Sequence, residues 1–308
     1  MSTKNIKEVT TTGFGSNINN ENERLISKQG KITVKKMGLR FSQRSNLYHV
    51  LINMNTFTFL MCLLITFILI NLFFTTIYLS IGLDDLQGST ASNNFFEAFF
   101  FSSQTLTTVG YGGLHPTGTL ISLIASFEAF IGLLSFAVST GLLYGRFSKP
   151  KSKMLMSDKA LISPYKEGEG LMLRVANSKS NPLINAKAKL LYSQIESKKG
   201  NPVRKFYTLD LEMDKISLFA TSWTIVHPIT PDSPLYNISS EKIKERNVEL
   251  ILLLSAHDES YNDEVHSRTS YKHNEIIHGA KFVIISDSDE NHSSVIHLDK
   301  LDHYQLLD

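Results

Sequence analysis

Between residues 45 and 83 the chain carries no Asp, Glu, Lys or Arg, and between residues 45 and 145 it carries no Lys or Arg. In a chain of 308 residues with 31 basic and 29 acidic side chains, such a gap divides a membrane segment from charged flanks. Hydrocarbon offers backbone N–H and C=O groups no partner, so an uncharged apolar run of bilayer length has to be helical. The run MCLLITFILINLFF is apolar on every side, as a lipid-facing helix requires. A first spanning helix is expected over residues 56–81, closed by Gly82, Asp84 and Asp85. A second is expected over residues 117–145, with Glu128 as its one charged residue. The first run starts too late and is too long to be a cleaved secretory signal.

Residues 92–106, which include FFEAFFFSSQTL, are too few to span and too apolar for an exposed loop. They are expected to form a re-entrant pore helix, which is tolerated at membrane depth only inside a protein assembly. Residues 1–44 are polar and form an N-terminal segment, extended around residues 31–36. In residues 45–55, Tyr48, Val50, Leu51 and Met54 recur at roughly helical spacing. They suggest an amphipathic helix lying in the interface; the alternative is an early start to the first span. Lys31, Lys35, Lys36, Arg40 and Arg44 precede the first span, and Arg146, Lys149, Lys151 and Lys153 follow the second. The connecting loop carries Asp84, Asp85 and Glu97 but no positive charge. This asymmetry predicts a multi-pass protein whose pore domain covers residues 56–148, with both termini cytoplasmic.

From residue 149 to 308 the pattern changes to short alternating runs. Strands are expected at 171–176, 186–192, 206–212, 222–227, 248–254 and 280–286, which suggests a cytoplasmic β-sandwich. The pairs His257/Asp258 and Asp263/Glu264 read as solvated residues of a polar loop. The single cysteine, Cys62, permits no intrachain disulfide, and the 10 histidines lack metal-ligand spacing. A membrane-anchored enzyme would need a catalytic constellation, and a nucleotide-binding sensor a glycine-rich fingerprint; neither pattern occurs. Basic residues gather at the membrane flanks, which argues against nucleic acid as a partner.

The pore helix runs into Thr107, Thr108, Val109, Gly110, Tyr111 and Gly112. In a soluble protein VGYG would read as a glycine turn. Placed between two spans, on the side opposite the basic flanks, it reads as a selectivity filter over residues 108–112. A dehydrated cation needs replacement oxygens on all sides, and backbone carbonyls turned to one axis can supply them. Gly110 and Gly112 make the required positive φ accessible, and the Thr108 hydroxyl adds a further oxygen layer. Tyr111 is expected to point away from the axis and brace the loop against the pore helix. One chain supplies a quarter of each oxygen ring, so the motif implies a homotetramer. The negative end of the pore-helix dipole should face the cavity below.

Further motifs are Tyr48-His49, FEAFIG at 127–132, STGLLYGRFSKPK at 139–151, LRVAN at 173–177, WTIVH at 223–227, DSPLY at 232–236 and HSRTSY at 266–271. With TTVGYG at 107–112 they cover nearly everything after residue 20. On these residues the chain resembles the inward-rectifier potassium channels, particularly their prokaryotic branch. An Arg-rich voltage-sensor helix is absent from the sequence. The resemblance implies a tetrameric, passive K+ channel with K+ at Thr108, Val109, Gly110 and Tyr111. It implies no cofactor beyond the permeant ion, block by Ba2+, and an immunoglobulin-like cytoplasmic sandwich that extends the pore. The lack of paired cysteines resembles the bacterial members, placing the protein in a plasma membrane of inner-membrane type.

The resemblance also implies a gate where four inner helices converge, with Tyr144 at the bulky gate position. Independently, Phe136, Thr140 and Tyr144 are spaced four apart and so share a helix face. An interfacial aromatic is the alternative for Tyr144. Gly132 and Gly141 are assigned either to bending or to close packing. Arg146, Lys149, Lys151 and Lys153 suit anionic lipid headgroups, phosphoinositides included, or topology alone. Phe136 stands where strongly rectifying relatives carry an acid, and Lys198-Lys199-Gly200 where eukaryotic relatives are often acidic, so polyamine block should be weak. Gln104 stands where relatives often place Glu behind the filter, and Gly113 where many have Asp. Glu128 is expected either to hydrogen-bond Ser103 or Gln104 behind the filter or to remain protonated there, as a structural group.

Overall fold

The computed structural model describes residues 24–33, 37–38, 46–88, 93–150, 153–198, 201–288 and 294–307. The chain divides into a helical unit, residues 37–149, and a β-rich unit formed by residues 1–36 and 150–308.

In the helical unit, α1 (Leu47–Asn53) is capped by Asn46, whose side chain accepts from Tyr48 N at 3.2 Å. Asn55 opens α2 (Thr56–Ile81) in the same way, accepting from Phe57 N at 2.9 Å. The chain therefore breaks between the two helices, because each asparagine satisfies an orphan N–H at a separate N-terminus. At 26 residues α2 is about 39 Å long. Its hydroxyls remain compatible with lipid by bonding back along the helix: Thr66 to Cys62 O, Thr75 to Asn71 O and Thr76 to Leu72 O, at 2.7–2.8 Å. After Gly82 (φ 99°), β1 (Leu86–Gln87) pairs antiparallel with β2 (His115–Pro116), tying together the segments that flank α3. The helix α3 (Asn94–Leu106) starts two residues later than expected because Asn93 caps it, accepting from Phe95 N at 2.8 Å. The helix α4 (Thr119–Phe147) runs two residues beyond the expected end. Phe74 and Tyr78 of α2, Ala98 and Phe101 of α3, and Ile121 and Ala125 of α4 form the core of this unit. Both α2 and α4 are long and apolar enough to cross a membrane.

Gly132 marks the tightest approach. A Cβ there would lie 1.9 Å from the Leu106 carbonyl oxygen, so α4 passes the end of α3 at a distance only glycine permits. A Cβ at Gly141 would meet nothing within 4 Å.

The β-rich unit comprises β3 (Met154–Met156), β4 (Ala160–Tyr165), β5 (Gly168–Asn177), β6 (Leu183–Lys198), β7 (Asn201–Leu209), β8 (Lys215–Phe219), β9 (Ser222–Ile229), a short α5 (Ser240–Glu245), β10 (Glu249–Asp258), β11 (Asp263–Lys272), β12 (Ile276–His278), β13 (Ala280–Phe282), β14 (Ser286–Ser288), β15 (Ser294–Ile296) and β16 (Tyr304–Leu306). One sheet runs β11-β10-β6-β7 with β8 also on β6. The other runs β12-β4-β5-β3 with β9 also on β5. Leu171, Leu173 and Val175 of β5 and Leu250, Leu252 and Leu254 of β10 alternate inward into one core, with Leu190, Tyr192 and Trp223. That is the two-residue period of a sandwich.

The strand expectations at 171–176, 186–192 and 222–227 fall inside β5, β6 and β9, and 248–254 begins one residue before β10. The segment 206–212 overshoots β7, which ends at Leu209; the next carbonyl, of Asp210, accepts instead from His227 at 2.6 Å. The segment 280–286 contributes only β13 and the first residue of β14. The reading of His257/Asp258 and Asp263/Glu264 as loop residues is corrected. They are the closing rungs of the β10–β11 ladder, His257 opposite Glu264 and Asp258 opposite Asp263. Asp258 is fully buried and accepts from Lys179 and, at 3.0 Å, from Asn181. Its polarity belongs to a buried ion pair, which sequence alone does not separate from a turn.

Residues 24–33 form a strap over the outer face of this sheet. Leu25 and Ile26 bury against Leu191, Phe206 and Ile251. The Glu249 carboxylate accepts from Leu25 N at 3.0 Å and lies 3.5 Å from Arg204, both side chains being buried. Ser270 donates to Ile26 O at 2.5 Å, and Arg268 to Gly30 O at 2.7 Å. Of the extended segment expected at 31–36, residues 31–33 belong to this strap, and 34–36 lie outside the described residues.

Glu249→Ala leaves Arg204 buried without its partner, so the β-rich unit should lose about 3–5 kcal/mol. Urea unfolding followed through Trp223, the only tryptophan, reads this directly, and trypsin should then cut the strap faster at Arg24 and Lys28. Glu212→Gln, at an exposed pair with Lys166, should leave the midpoint unchanged. In the helical unit, Gly132→Ala should lower the thermal midpoint of the assembled protein in detergent by several degrees, while Gly141→Ala should not.

Candidate ion-conduction site

The last turn of α3 sets the start of the filter segment. Thr107 N donates to Ser103 O at 3.1 Å and Thr108 N to Thr105 O at 3.0 Å. Val109 N then reaches back to Gln104 O at 3.0 Å, with Gly110 N at 3.4 Å from the same oxygen. Gln104 therefore acts through its backbone carbonyl. Beyond it φ alternates in sign: Thr108, Gly110 and Gly112 are positive at 57°, 52° and 79°, while Val109 and Tyr111 are not. A β-branched residue at positive φ is strained by about 1–3 kcal/mol and persists only where its surroundings dictate it. The bonds to Thr105 and Gln104 provide that constraint.

In a single chain this segment lies at the surface, with Val109 54% and Tyr111 81% exposed. Within one chain Tyr111 is not buried against its own pore helix. A cavity of about 670 Å3 adjoins the segment, lined by Phe67, Leu106, Thr108, Gly132 and Phe136. Phe136, Thr140 and Tyr144 are all exposed along one stripe of α4. Thr140 returns its hydroxyl proton to Phe136 O at 2.9 Å.

Glu128 is fully buried behind α3, but its partners differ from those expected. Tyr78 Oη donates to it at 2.6 Å and Ser102 Oγ at 2.5 Å, and Ser102 also lies 3.1 Å from Asn71 Oδ1. Neither Ser103 nor Gln104 is involved, because Ala98, Phe101 and Ser102 form the inward face of α3 and residues 103 and 104 are rotated off it. One polar network thus links α2, α3 and α4 behind the filter segment.

Arg146 holds a position that its basic neighbourhood does not suggest. Its guanidinium donates to Leu51 O at 2.6 Å, Ile52 O at 3.1 Å and Met54 O at 2.9 Å, and stacks 4.5 Å over the Phe59 ring. These are the orphan carbonyls at the C-terminus of α1, where a cation is favoured. Lys149 donates to Asn53 Oδ1 at 2.7 Å. A Cβ on Gly145 would lie 3.3 Å from Ile52, which keeps α1 close against α4. Lys153 is exposed at the start of the β-rich unit, and Lys151 lies outside the described residues. Among the described residues no three His, Cys, Asp or Glu side chains converge to hold a metal.

Residues 154–307 match the model of the inward rectifier potassium channel C-terminal domain, and residues 51–149 match a model described as ion channel. The inward rectifier potassium channel Kirbac3.1 of Paramagnetospirillum magnetotacticum is 32% identical over 262 residues, covering 84% of this chain and 88% of that protein. Two solved structures also align, each at 9% identity. One is AvmM, which catalyses macrocyclization in alchivemycin A biosynthesis (TM-score 0.21, covering 40% of this chain and 89% of that one). The other is the Pseudomonas fluorescens alkylpurine DNA glycosylase AlkC bound to DNA with an abasic-site analogue (TM-score 0.20, covering 60% and 48%). At those scores neither carries an argument about fold. The chain belongs to the inward-rectifier potassium channel family, in its prokaryotic branch, and is a membrane protein that joins two apolar helices to a C-terminal β-sandwich and functions as a K+ channel.

Proposed function

We propose that four copies of this chain surround one pore and pass K+ through residues 108–112, opening and closing at the cytoplasmic end of α4. The alternating sign of φ at Thr108, Gly110 and Gly112 carries this reading. In a β-strand successive carbonyls point to opposite sides, whereas alternation of hand turns them to one side. Four such strands around an axis would replace the hydration shell of K+. The exposed side chains of Val109 and Tyr111 and of the stripe Phe136, Thr140 and Tyr144 are the surfaces that neighbouring subunits and pore water would cover. Tyr144 is the bulkiest of that stripe near the end of α4 and serves as the gate. Gly132 acts as a packing residue, and Gly141, with open space around it, is the position free to bend. The basic residues on both flanks support cytoplasmic termini, and the single cysteine suits a bacterial inner membrane.

Anionic lipid acts through Lys149, Lys151 and Lys153, while Arg146 positions α1 on the gate-bearing helix. These roles separate by experiment. Neutralising the three lysines to Gln should remove the response of liposome flux to anionic lipid and keep flux in neutral lipid. Arg146→Gln should change flux in neutral lipid as well, because it releases α1. An unchanged lipid response in the triple variant contradicts the assignment. For the pore itself, Rb+ uptake into proteoliposomes should be blocked by Ba2+ and lost in Gly110→Glu. Tyr144→Ala should raise uptake several-fold; a silent Tyr144→Ala alongside an active parent would remove the gate from that position.

A further inference from the structure

On the β-rich unit, a cavity of about 560 Å3 is lined chiefly by donors: Arg24 of the strap, Lys244 of α5, Asn247 after it, Lys272 at the end of β11 and His273 in the 3-10 turn that follows. Glu245 is the one carboxylate in the lining, and it is solvent-exposed. The other nearby carboxylates already have partners. Glu275 takes Arg24 at 2.5 Å, and Glu249 takes the Leu25 amide and the side chain of Arg204. Arg24 Nη1 is held by Ser270 O at 3.2 Å, so Arg24 contributes charge more than free donors. Lys272 is 7% exposed and meets Asn247 Oδ1 at 2.9 Å, and Lys244 is exposed at the rim. His273 Nδ1 is buried without a hydrogen-bond partner, as are Nε and Nη2 of Arg204.

The electrostatics follow from this arrangement. Burial holds the Lys272 ammonium below its ordinary basicity; Arg204 and Arg24 add to this, while Glu249 and Glu275 oppose it. Burial likewise lowers His273, reinforced by the charges of Lys244 and Lys272 and opposed by Glu275. An anion seated among Lys244, Lys272 and His273 would add to that opposition. Donors converging from four segments suit a group with several free oxygens, and lysine serves such groups as a point charge.

We propose that this cavity binds a small phosphate-bearing anion, held by Lys244, Lys272 and His273. Such a ligand would bridge the strap, α5 and β11.

The test is calorimetric titration of the full-length channel with pyrophosphate, with inorganic phosphate as the weaker probe. Saturable binding is expected, weakened at least tenfold by Lys244→Gln and by His273→Ala, with Rb+ flux retained. Lys187→Gln, elsewhere on the β-rich unit, should leave the affinity unchanged. Repeating the titration in neutral and in phosphatidylglycerol-rich nanodiscs identifies the natural source. Competition by the anionic lipid marks a headgroup, an unchanged affinity marks a soluble phosphate, and either supports the site. Absence of saturable binding, or an affinity indifferent to both variants, overturns it.

Discussion

An unpaired backbone carbonyl in hydrocarbon costs several kcal/mol, and the helical unit is organised around that cost. In α2 and α4 the backbone bonds within its own helix, and hydroxyls such as those of Thr66, Thr76, Ser126 and Thr140 bond back onto it. Residues 108–112 are the exception. They leave helical geometry and keep carbonyls without a ladder partner. In the proposed pore these are the oxygens that would meet the ion, and the rest of the unit braces the segment that carries them. The end of α3 takes up the first amides through Gln104 and Thr105. Gly132 lets α4 close against the same helix end, and Glu128 joins Tyr78 and Ser102 behind it.

At the other end of α4, Arg146 plays a comparable part for a different set of carbonyls. The last turn of α1 leaves Leu51, Ile52 and Met54 oxygens unsatisfied, and one guanidinium meets all three. Because Arg146 lies two residues past Tyr144, a rotation of the helix that moves the tyrosine also moves the anchor of α1. The β-rich unit is connected by chain on both sides of this region, through the strap that leads to α1 and through the segment after α4. Its own stability rests on an ordinary sandwich core with a buried Arg204–Glu249 pair fastening the strap.

The spanning helices were legible because their composition admits few other folds. The bounds 56–81 coincide with α2, whereas α3 starts two residues later than expected because Asn93 caps it, a single residue that periodicity does not weigh. Glu128 was visible as an anomaly, but its partners were assigned one residue off, since the choice between Ser102 and Ser103 depends on the rotation of α3. The glycines of the filter were readable, while positive φ at Thr108 was not, because a β-branched residue does not advertise it. Arg146 was read with the other basic residues; its partners lie more than 90 positions earlier in the chain, and no local pattern links them. In the sandwich, β11 was overlooked because its sequence is polar. It is an edge strand whose pairing supplies what burial supplies elsewhere, and the strap takes up its Arg268 and Ser270.

The central claim is that the backbone of residues 108–112 selects K+ at a four-fold axis. The reversal potential of purified channels in planar bilayers, with K+ on one side and Na+ on the other, tests it most directly. The account predicts reversal far toward the K+ equilibrium potential, as a site built of carbonyl oxygens requires. Reversal near zero from protein that conducts would contradict it, since the ions would then be passing through a pore that does not strip and replace their water.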